Sequence, residues 1–159
     1  MLSRKLMNGT SDTKFSPDLP ISRIMFVAVL YRMAGSPGTI PSDSTNVPLG
    51  TWYARAAKWA LENHILLGYS PSVFGPDDPI TREQLVAFLY RYAKINGDTT
   101  LTTSPPPDLG SVSSWARPAV NWALAKGILN GAADGSIHPS ATASRAEVAA
   151  ILSRYLAHA

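Results

Sequence analysis

The sequence predicts an all-α fold built from tandem helix–loop–helix repeats, with the second helix of each repeat at the centre of a bundle. Two observations predict this fold: the chain matches itself under two fixed shifts, and the matching segments carry apolar residues at helical spacing. The composition fits one globular module, because 45% of the 159 residues are hydrophobic and only 16% are charged.

A shift of 63 residues superposes two long segments of the chain without a gap, and a shift of 59 residues adds the N-terminal part. Because nothing in the sequence precedes Met1 to match 52–66, the first repeat lacks its first helix, and the chain holds two and a half repeats. The superposed sets include Trp52 and Trp115, Trp59 and Trp122, Gly9, Gly68 and Gly131, Phe15 and Phe74, Arg23, Arg82 and Arg145, and Tyr92 and Tyr155.

These matches divide the chain into five segments that together form one module. Residues 1–34 are a truncated repeat, 51–97 and 108–159 are full repeats, and 35–50 and 98–107 are linkers. The linkers are rich in Pro, Ser and Thr, which is typical of connectors without regular structure.

The first helix of a full repeat is predicted at 52–64 and again at 115–126, where apolar residues recur on one narrow face. Gly127 is expected to end the second of these helices, because glycine readily adopts the left-handed conformation found there. A loop rich in Gly, Asp and Pro follows each first helix.

The second helix of each repeat is predicted to begin directly after a capping residue: Ser22, Thr81 or Ser144. Gln84 and Glu147 complete capping boxes in the two full repeats, whereas the first repeat has Met25 at that position. These helices are apolar nearly all round, which predicts that three of them bury one another at the centre, with the tryptophan-bearing helices outside.

The four tryptophans divide into two pairs. Trp59 and Trp122 are expected to pack in the core between outer and central helices. Trp52 and Trp115 open their helices, and two interpretations stay open for them: core packing, or a ring that lines a groove and stacks on a sugar.

Arg23, Arg82 and Arg145 occupy the first position of the three central helices, where a cation opposes the helix dipole. This repeated unfavourable choice indicates a function, and a guanidinium beside free helix N–H groups is suited to binding a carboxylate or phosphate. The alternative is structural: an inter-repeat salt bridge or hydrogen bonds to loop carbonyls. The arginines near the other ends of these helices suit the dipole and are interpreted as structural: Arg32, Arg91 and Arg154.

Several function classes are disfavoured by the sequence. Without cysteine, disulfides and thiolate metal sites are excluded, and the three histidines (His64, His138, His158) do not superpose or show metal-ligand spacing. No nucleophile motif, phosphate-binding loop or paired carboxylates recur, so we expect no enzyme activity, metal or cofactor. A scattered net charge of +3 argues against nucleic acid, and no segment resembles a signal peptide or membrane span.

The third repeat carries a run of specific motifs. It reads Trp-Ala-Arg-Pro-Ala-Val-Asn-Trp-Ala at 115–123, Lys-Gly-Ile-Leu-Asn-Gly at 126–131, Asp-Gly at 134–135 and Ser-Arg-Ala-Glu at 144–147. The last motif recurs as Thr-Arg-Glu-Gln at 81–84 and Ser-Arg-Ile-Met at 22–25. This combination resembles the S-layer homology family across almost the whole chain.

The resemblance implies a pseudo-threefold bundle that sits outside the cell, in the bacterial wall or S-layer. It also implies binding of an anionic, often pyruvylated, secondary cell-wall polysaccharide in grooves between repeats. The implied polymer-binding residues are the signature arginines Arg23, Arg82 and Arg145, the acidic Asp108, the helix-opening Trp52 and Trp115, and the glycines Gly68 and Gly131. In the second repeat Asn46 takes the place of Asp108, which predicts a weaker groove there.

The truncated first repeat departs from the family pattern, so one groove is expected to lack a wall. Three explanations stay open: the missing helix is supplied by another chain, which would make a homo-oligomer, it is absent, or it has been cut from the sequence. A protein-binding scaffold or self-assembly module without carbohydrate binding is the competing interpretation.

Overall fold

The computed structural model describes residues 7, 11, 13–38, 50–66, 75–98, 111–130 and 137–158, and these residues form helices and loops with no strand or sheet. The all-α prediction is therefore confirmed. The predicted linkers fall mostly outside the described residues. The helices are α1 (Arg23–Met33), α2 (Ala54–Glu62), α3 (Arg82–Ile95), α4 (Arg117–Ala125) and α5 (Arg145–His158), and a 3-10 turn at Ser114–Ala116 leads into α4.

The central helices α1, α3 and α5 begin where the capping residues predict. In α3 the Thr81 hydroxyl accepts from the Gln84 amide at 3.2 Å and the Gln84 side chain accepts from the Thr81 amide at 3.1 Å. Ser144 and Glu147 form the same reciprocal pair before α5. Ser22 accepts a hydrogen bond from the Met25 amide alone. Both predicted capping boxes, and the missing third one, are confirmed.

A closed ring of backbone hydrogen bonds joins the three repeats just before their central helices. Ile80 donates to the carbonyl of Ile21, Ala143 donates to Ile80, and Ile21 donates to Ala143, at 2.9, 2.9 and 3.3 Å. All three side chains are buried. Each repeat thus makes the same contact with its neighbour and the last repeat returns to the first, which is the pseudo-threefold arrangement that the resemblance implies.

The outer helices fill the angles between central ones, and tryptophans make the contact. Trp59 of α2 lies 5.6 Å from the ring of Tyr31 on α1 and 6.3 Å from that of Tyr92 on α3. In the next repeat Trp122 of α4 takes the equivalent place between α3 and α5, 5.4 Å from Tyr90 and 6.2 Å from Tyr155. The prediction that Trp59 and Trp122 pack between outer and central helices is confirmed.

The outer helices differ slightly from their predicted bounds. The helix predicted at 52–64 begins at Ala54, and the one predicted at 115–126 begins with the 3-10 turn before Pro118. Gly127 has φ of 69°, so it ends the α4 segment in the left-handed conformation as expected. His64, its counterpart under the 63-residue shift, adopts the same conformation with φ of 56° although it carries a side chain.

The space between α5 and α1 differs from the spaces that α2 and α4 occupy between the other central helices. No helix of the described residues packs there. Small residues of α5 that correspond to covered positions of α3 are exposed or half-buried there. Ala146 is exposed where Glu83 is buried, and Ser153 is exposed where Tyr90 packs under Trp122. Positions of the outer face of α5 are therefore open to solvent where the equivalent positions of α3 are covered.

Candidate functional site: arginines between the repeats

The N-terminal amides of the central helices are already bonded, which corrects one step of the sequence argument. Arg82 and Glu83 donate to the carbonyls of Ala141 and Pro139, both at 2.9 Å. The same pairing recurs at the other two helices. Because the capping side chain takes the third amide, the first turn has no free N–H group to offer an anion. The prediction of free helix N–H groups beside the arginines is therefore wrong, and any anion binding must rely on side chains.

The arginine side chains explain why a cation is tolerated at this position. Arg82 Nε donates to the carbonyl of Ile137 at 2.7 Å, and Arg145 Nε donates to that of Phe15 at 2.9 Å. Both acceptors lie in the loop of the adjacent repeat. The structural alternative considered for these residues is therefore part of their role, since they hold neighbouring repeats together.

The arginines of the three repeats are not equally accessible. Arg23 is only 2% exposed, and its guanidinium carbon lies 5.1 Å from the centre of the Phe88 ring. Arg145 is buried as well, 4.9 Å from the ring of Phe15. The Arg82 side chain is 15% exposed. Of the three predicted binding arginines, Arg82 is therefore the most open to a ligand.

A cavity of about 240 Å³ lies beside Arg82, between the second and third repeats, and we call it groove 2/3. The guanidinium of Arg82 faces Glu147 across it, with 3.4 Å between Nη1 and Oε2. Arg154 brings a second guanidinium, and its Nη1 donates to the carbonyl of Ile128 at 3.4 Å. The structural role predicted for Arg154 is present, but the residue also lines the cavity. The complete lining is Arg82, Leu129, Asn130, Glu147, Ala150, Ile151 and Arg154.

The matching interface between repeats 1 and 2, which we call interface 1/2, has an aromatic ring beside its two arginines. Phe88 occupies the position that Ile151 has in groove 2/3, and the guanidinium carbons of Arg23 and Arg91 lie 5.1 and 5.8 Å from its centre. Burial, and secondarily the charge of Arg23, lower the pKa of Arg91 below its ordinary value. Gln84 stands where groove 2/3 has Glu147, so this side supplies no carboxylate to the two cations.

The two helix-opening tryptophans point outward. Trp52 is 65% and Trp115 is 51% exposed, so core packing, one of their two interpretations, does not occur. Trp115 lies near the arginine end of α3, because Ser113 donates its amide and its hydroxyl to the Glu83 carboxylate at 2.9 and 2.7 Å. That contact places the opening of α4 next to the residue that follows Arg82.

Four predicted positions lie outside the described residues: Asn46, Gly68, Asp108 and Gly131. Their assignment to the site remains a prediction.

Sequence reasoning missed two carboxylates that shape this region. Glu147 was interpreted only as a cap, and Glu83 was given no role, although it binds the start of the next outer helix. The self-match gives a partial sign of these roles, because it aligns Glu147 with Gln84 and Glu83 with Ala146. A residue that differs between equivalent positions can have a role in one repeat only. The sequence does not show which neighbouring repeat each side chain contacts.

Two negative findings limit the chemistry of the described part. Within it, no helix is long and apolar enough to cross a membrane. The same residues contain no group of three or more His, Cys, Asp or Glu side chains placed to hold a metal ion.

The fold and site together define a repeat-built helical module with a cationic cavity between two repeats. The sequence profile of the S-layer homology domain matches residues 1–24, 48–86 and 107–149, which is more than half of the chain. The chain belongs to the S-layer homology domain family.

Three relatives illustrate where such modules occur. An amylopullulanase of Thermoanaerobacterium thermosulfurigenes is 33% identical over 96% of this chain, a cellulosome-anchoring protein of Acetivibrio thermocellus is 25% identical over 94%, and a surface-layer 125 kDa protein of Lysinibacillus sphaericus is 26% identical over 94%. The matched regions make up 8, 35 and 13% of these relatives. The chain thus spans a small part of each of them, and its likeness to the enzyme concerns only that part.

Proposed function

We propose that this module anchors the protein that carries it to the bacterial cell wall, by non-covalent binding of an anionic secondary wall polysaccharide. Family membership supports anchoring, as does the similarity to a protein named for anchoring cellulosomes. The observation that carries the choice of ligand is groove 2/3, where two guanidinium groups border a cavity of about 240 Å³. A cavity of this size suits a sugar residue better than a polypeptide surface.

Binding in the groove would rest on charge and stacking. Arg82 and Arg154 offer planar forks of N–H donors that match a carboxylate, such as that of a pyruvate ketal on a sugar. The exposed face of Trp115 offers a platform for a second sugar of the same chain. Asp108, Gly68 and Gly131 are proposed to complete the binding surface. The Arg23 and Arg145 side chains would act mainly by holding the repeats that form the grooves.

The module itself is proposed to have no catalytic activity and to act outside the cell, in the wall or S-layer. Its partner would be a wall glycan and not nucleic acid or the membrane interior. Any catalytic activity of the whole protein would then belong to other parts of it.

A second candidate function is self-assembly. It is favoured by the outer face of α5, where Ala146 and Ser153 are exposed at positions that an outer helix covers elsewhere. A helix from another copy would cover this face and produce a homo-oligomer. Light scattering would then give a multiple of the 17.0 kDa chain mass, and a strictly monomeric mass would exclude this arrangement.

The anchoring proposal is tested by sedimenting purified Gram-positive wall sacculi with the protein and measuring the bound fraction. The wild type should co-sediment, and chemical removal of the secondary polymer should abolish binding. Arg82→Ala should reduce binding at least about fivefold, because it removes a charged donor from the ligand. Arg55→Ala, which removes an exposed arginine of α2, is the matched control and should bind normally.

Circular dichroism of every variant establishes that the fold is kept. Undiminished binding of folded wild type to polymer-free sacculi would contradict the proposal and favour a protein partner. Absence of binding to intact sacculi would contradict anchoring itself.

A further inference from the structure

The third residue of each central helix differs among the repeats: Met25, Gln84 and Glu147. The Glu147 carboxylate is the only acidic group among the lining residues of groove 2/3. Its Oε2 atom accepts from the Ser144 amide at 3.2 Å and lies 3.4 Å from Arg82 Nη1. Its Oε1 atom accepts no hydrogen bond from the described residues. The residue therefore brings one engaged and one available oxygen to the edge of the cavity.

We propose that Glu147 is a specificity-determining residue of groove 2/3, which makes this groove selective for acidic sugars that carry a hydroxyl or amide N–H next to their carboxylate. This inference rests on the proposed function, since it specifies the ligand of the same site. It concerns which anion is accepted, and not whether anions are bound at all.

Charge in groove 2/3 disfavours a simple anion. Groove 2/3 contains two guanidinium groups and one carboxylate, so an entering anion meets both attraction and repulsion. Glu147 also competes directly for Arg82, because the two side chains already lie at ion-pair distance. The Glu147 side chain is 42% exposed, so water screens the interaction and the penalty stays moderate. A simple anion without a hydrogen-bond donor would bind weakly here.

A hydrogen bond from the ligand to Glu147 favours a sugar acid. A ligand that brings a hydroxyl or amide N–H within reach of Glu147 Oε1 forms a charge-assisted hydrogen bond that offsets the repulsion. Free hydroxyl groups beside a ketal-linked carboxylate meet this requirement, whereas a plain carboxylate does not. Selectivity arises because the same side chain disfavours one class of anion and binds the other.

Interface 1/2 has a neutral residue at the position equivalent to Glu147. There Gln84 supplies no negative charge, while Arg23 and Arg91 share the Phe88 ring. Glutamine also functions as the third residue of the α3 capping box. Exchanging Glu147 for glutamine therefore keeps an arrangement that this chain already uses, so the variant is expected to fold.

The test measures binding of two probes by ¹H–¹⁵N NMR titration: pyruvate, and a monosaccharide that carries a pyruvate ketal with free hydroxyl groups. In the wild type the sugar acid should bind more tightly than pyruvate. Glu147→Gln should strengthen pyruvate binding about fivefold by removing a nearby like charge, and should not strengthen sugar-acid binding. The selectivity ratio should therefore fall about fivefold or more. Gln84→Glu, which makes the reverse exchange at the equivalent position of the second repeat, should leave the ratio unchanged.

An unchanged ratio in Glu147→Gln, or an equal change in Gln84→Glu, would overturn the inference. Wall sedimentation separates this outcome from failure of the anchoring proposal. Sacculus binding with an unaltered ratio overturns only the role of Glu147, whereas wild type that binds neither sacculi nor either probe overturns both.

Discussion

Interface 1/2 and groove 2/3 share one backbone arrangement and differ in what their side chains allow. In both, an arginine opens a central helix and a second arginine follows near the end of the next one. In the first, Arg23 is 2% exposed and its guanidinium stacks on the Phe88 ring. At the position of Phe88, groove 2/3 has Ile151, and a cavity of about 240 Å³ remains beside Arg82.

The difference shows that a repeated motif need not mean a repeated function. The side chains of Arg82 and Arg145 donate to loop carbonyls of the adjacent repeat, so the repeated arginine takes part in assembly. The exposure of that arginine differs with the side chain that the adjacent repeat places beside it. The repeated residues therefore build the scaffold, and single differences between repeats distinguish the cavity beside Arg82 from the surroundings of Arg23.

The largest expected effect is a difference in protein stability between variants of Arg23 and Arg82. Arg23→Ala should lower the free energy of unfolding by about 3 kcal/mol, because a buried guanidinium that stacks on Phe88 is lost and a cavity is left. Arg82→Ala should cost about 1.5 kcal/mol, since its side chain is more exposed and its ion pair contributes little. Urea denaturation followed by tryptophan fluorescence measures both. Equal losses would contradict the contrast in burial.

A second effect concerns the aromatic cluster around Trp122, which we expect to be independent of both interfaces. Burial, with the nearby Tyr92 and Asp98, raises the pKa of Tyr155 to about 12, and burial also raises the pKa of Tyr92. The folded protein thus keeps protons that the unfolded chain loses above pH 10. Below pH 10 the ionisation of these tyrosines should not change the free energy of unfolding. Between pH 10 and pH 12 it should lower that free energy by about 2 kcal/mol.

Denaturation at stepped pH, with phenolate absorbance as a probe of ionisation, tests this expectation. The wild type and Glu147→Gln should lose the same amount. A variant-dependent loss would mean that the cluster and the grooves are coupled.

A third prediction exchanges the side chains that distinguish the two regions. Ile151→Phe should place a ring in groove 2/3 and reduce sacculus binding about tenfold, at a cost of about 1–2 kcal/mol for overpacking. Phe88→Ile should cost about 1 kcal/mol for the lost ring and leave binding in groove 2/3 intact. Sedimentation with sacculi and thermal denaturation measure the two effects. Retained binding by folded Ile151→Phe would place the ligand elsewhere.

The smallest effect concerns the residues that end the outer helices of the second and third repeats. Gly127→Ala should destabilise the protein by about 1 kcal/mol, because its φ of 69° is unfavourable for a residue with a Cβ atom. His64→Gly should stabilise by a few tenths of a kcal/mol, since relief of backbone strain is partly offset by the entropy of the unfolded chain. Thermal denaturation of both variants shows whether each change stabilises or destabilises the protein. A stabilising Gly127→Ala would contradict the equivalence of the two positions.

The features of the fold that depend on nearby residues were predictable from the sequence. Helix starts follow from Ser22, Thr81 and Ser144, and the stop at Gly127 follows from its conformational freedom. The burial of Trp59 and Trp122 follows from helical periodicity together with the self-match. Apart from the self-match, which compares distant segments, these inferences need only a few neighbouring residues.

The features of the site that depend on how the repeats close were not predictable. Arg82 and Ile137 are 55 residues apart in sequence, and their hydrogen bond exists only because the third repeat packs next to the second. The same packing supplies loop carbonyls to the helix amides and brings Glu147 to Arg82. The sequence shows that the three arginines occupy equivalent positions, but it could not show which of them would be buried.

The most direct test of the central claim is a ¹H–¹⁵N NMR titration of the protein with polymer fragments released from Gram-positive sacculi. We expect the largest shifts at the Arg82 Nε–H and the Asn130 side chain, with the Arg23 Nε–H little affected. Shifts of equal size at Arg23 and Arg82, or shifts that avoid groove 2/3 altogether, would contradict it.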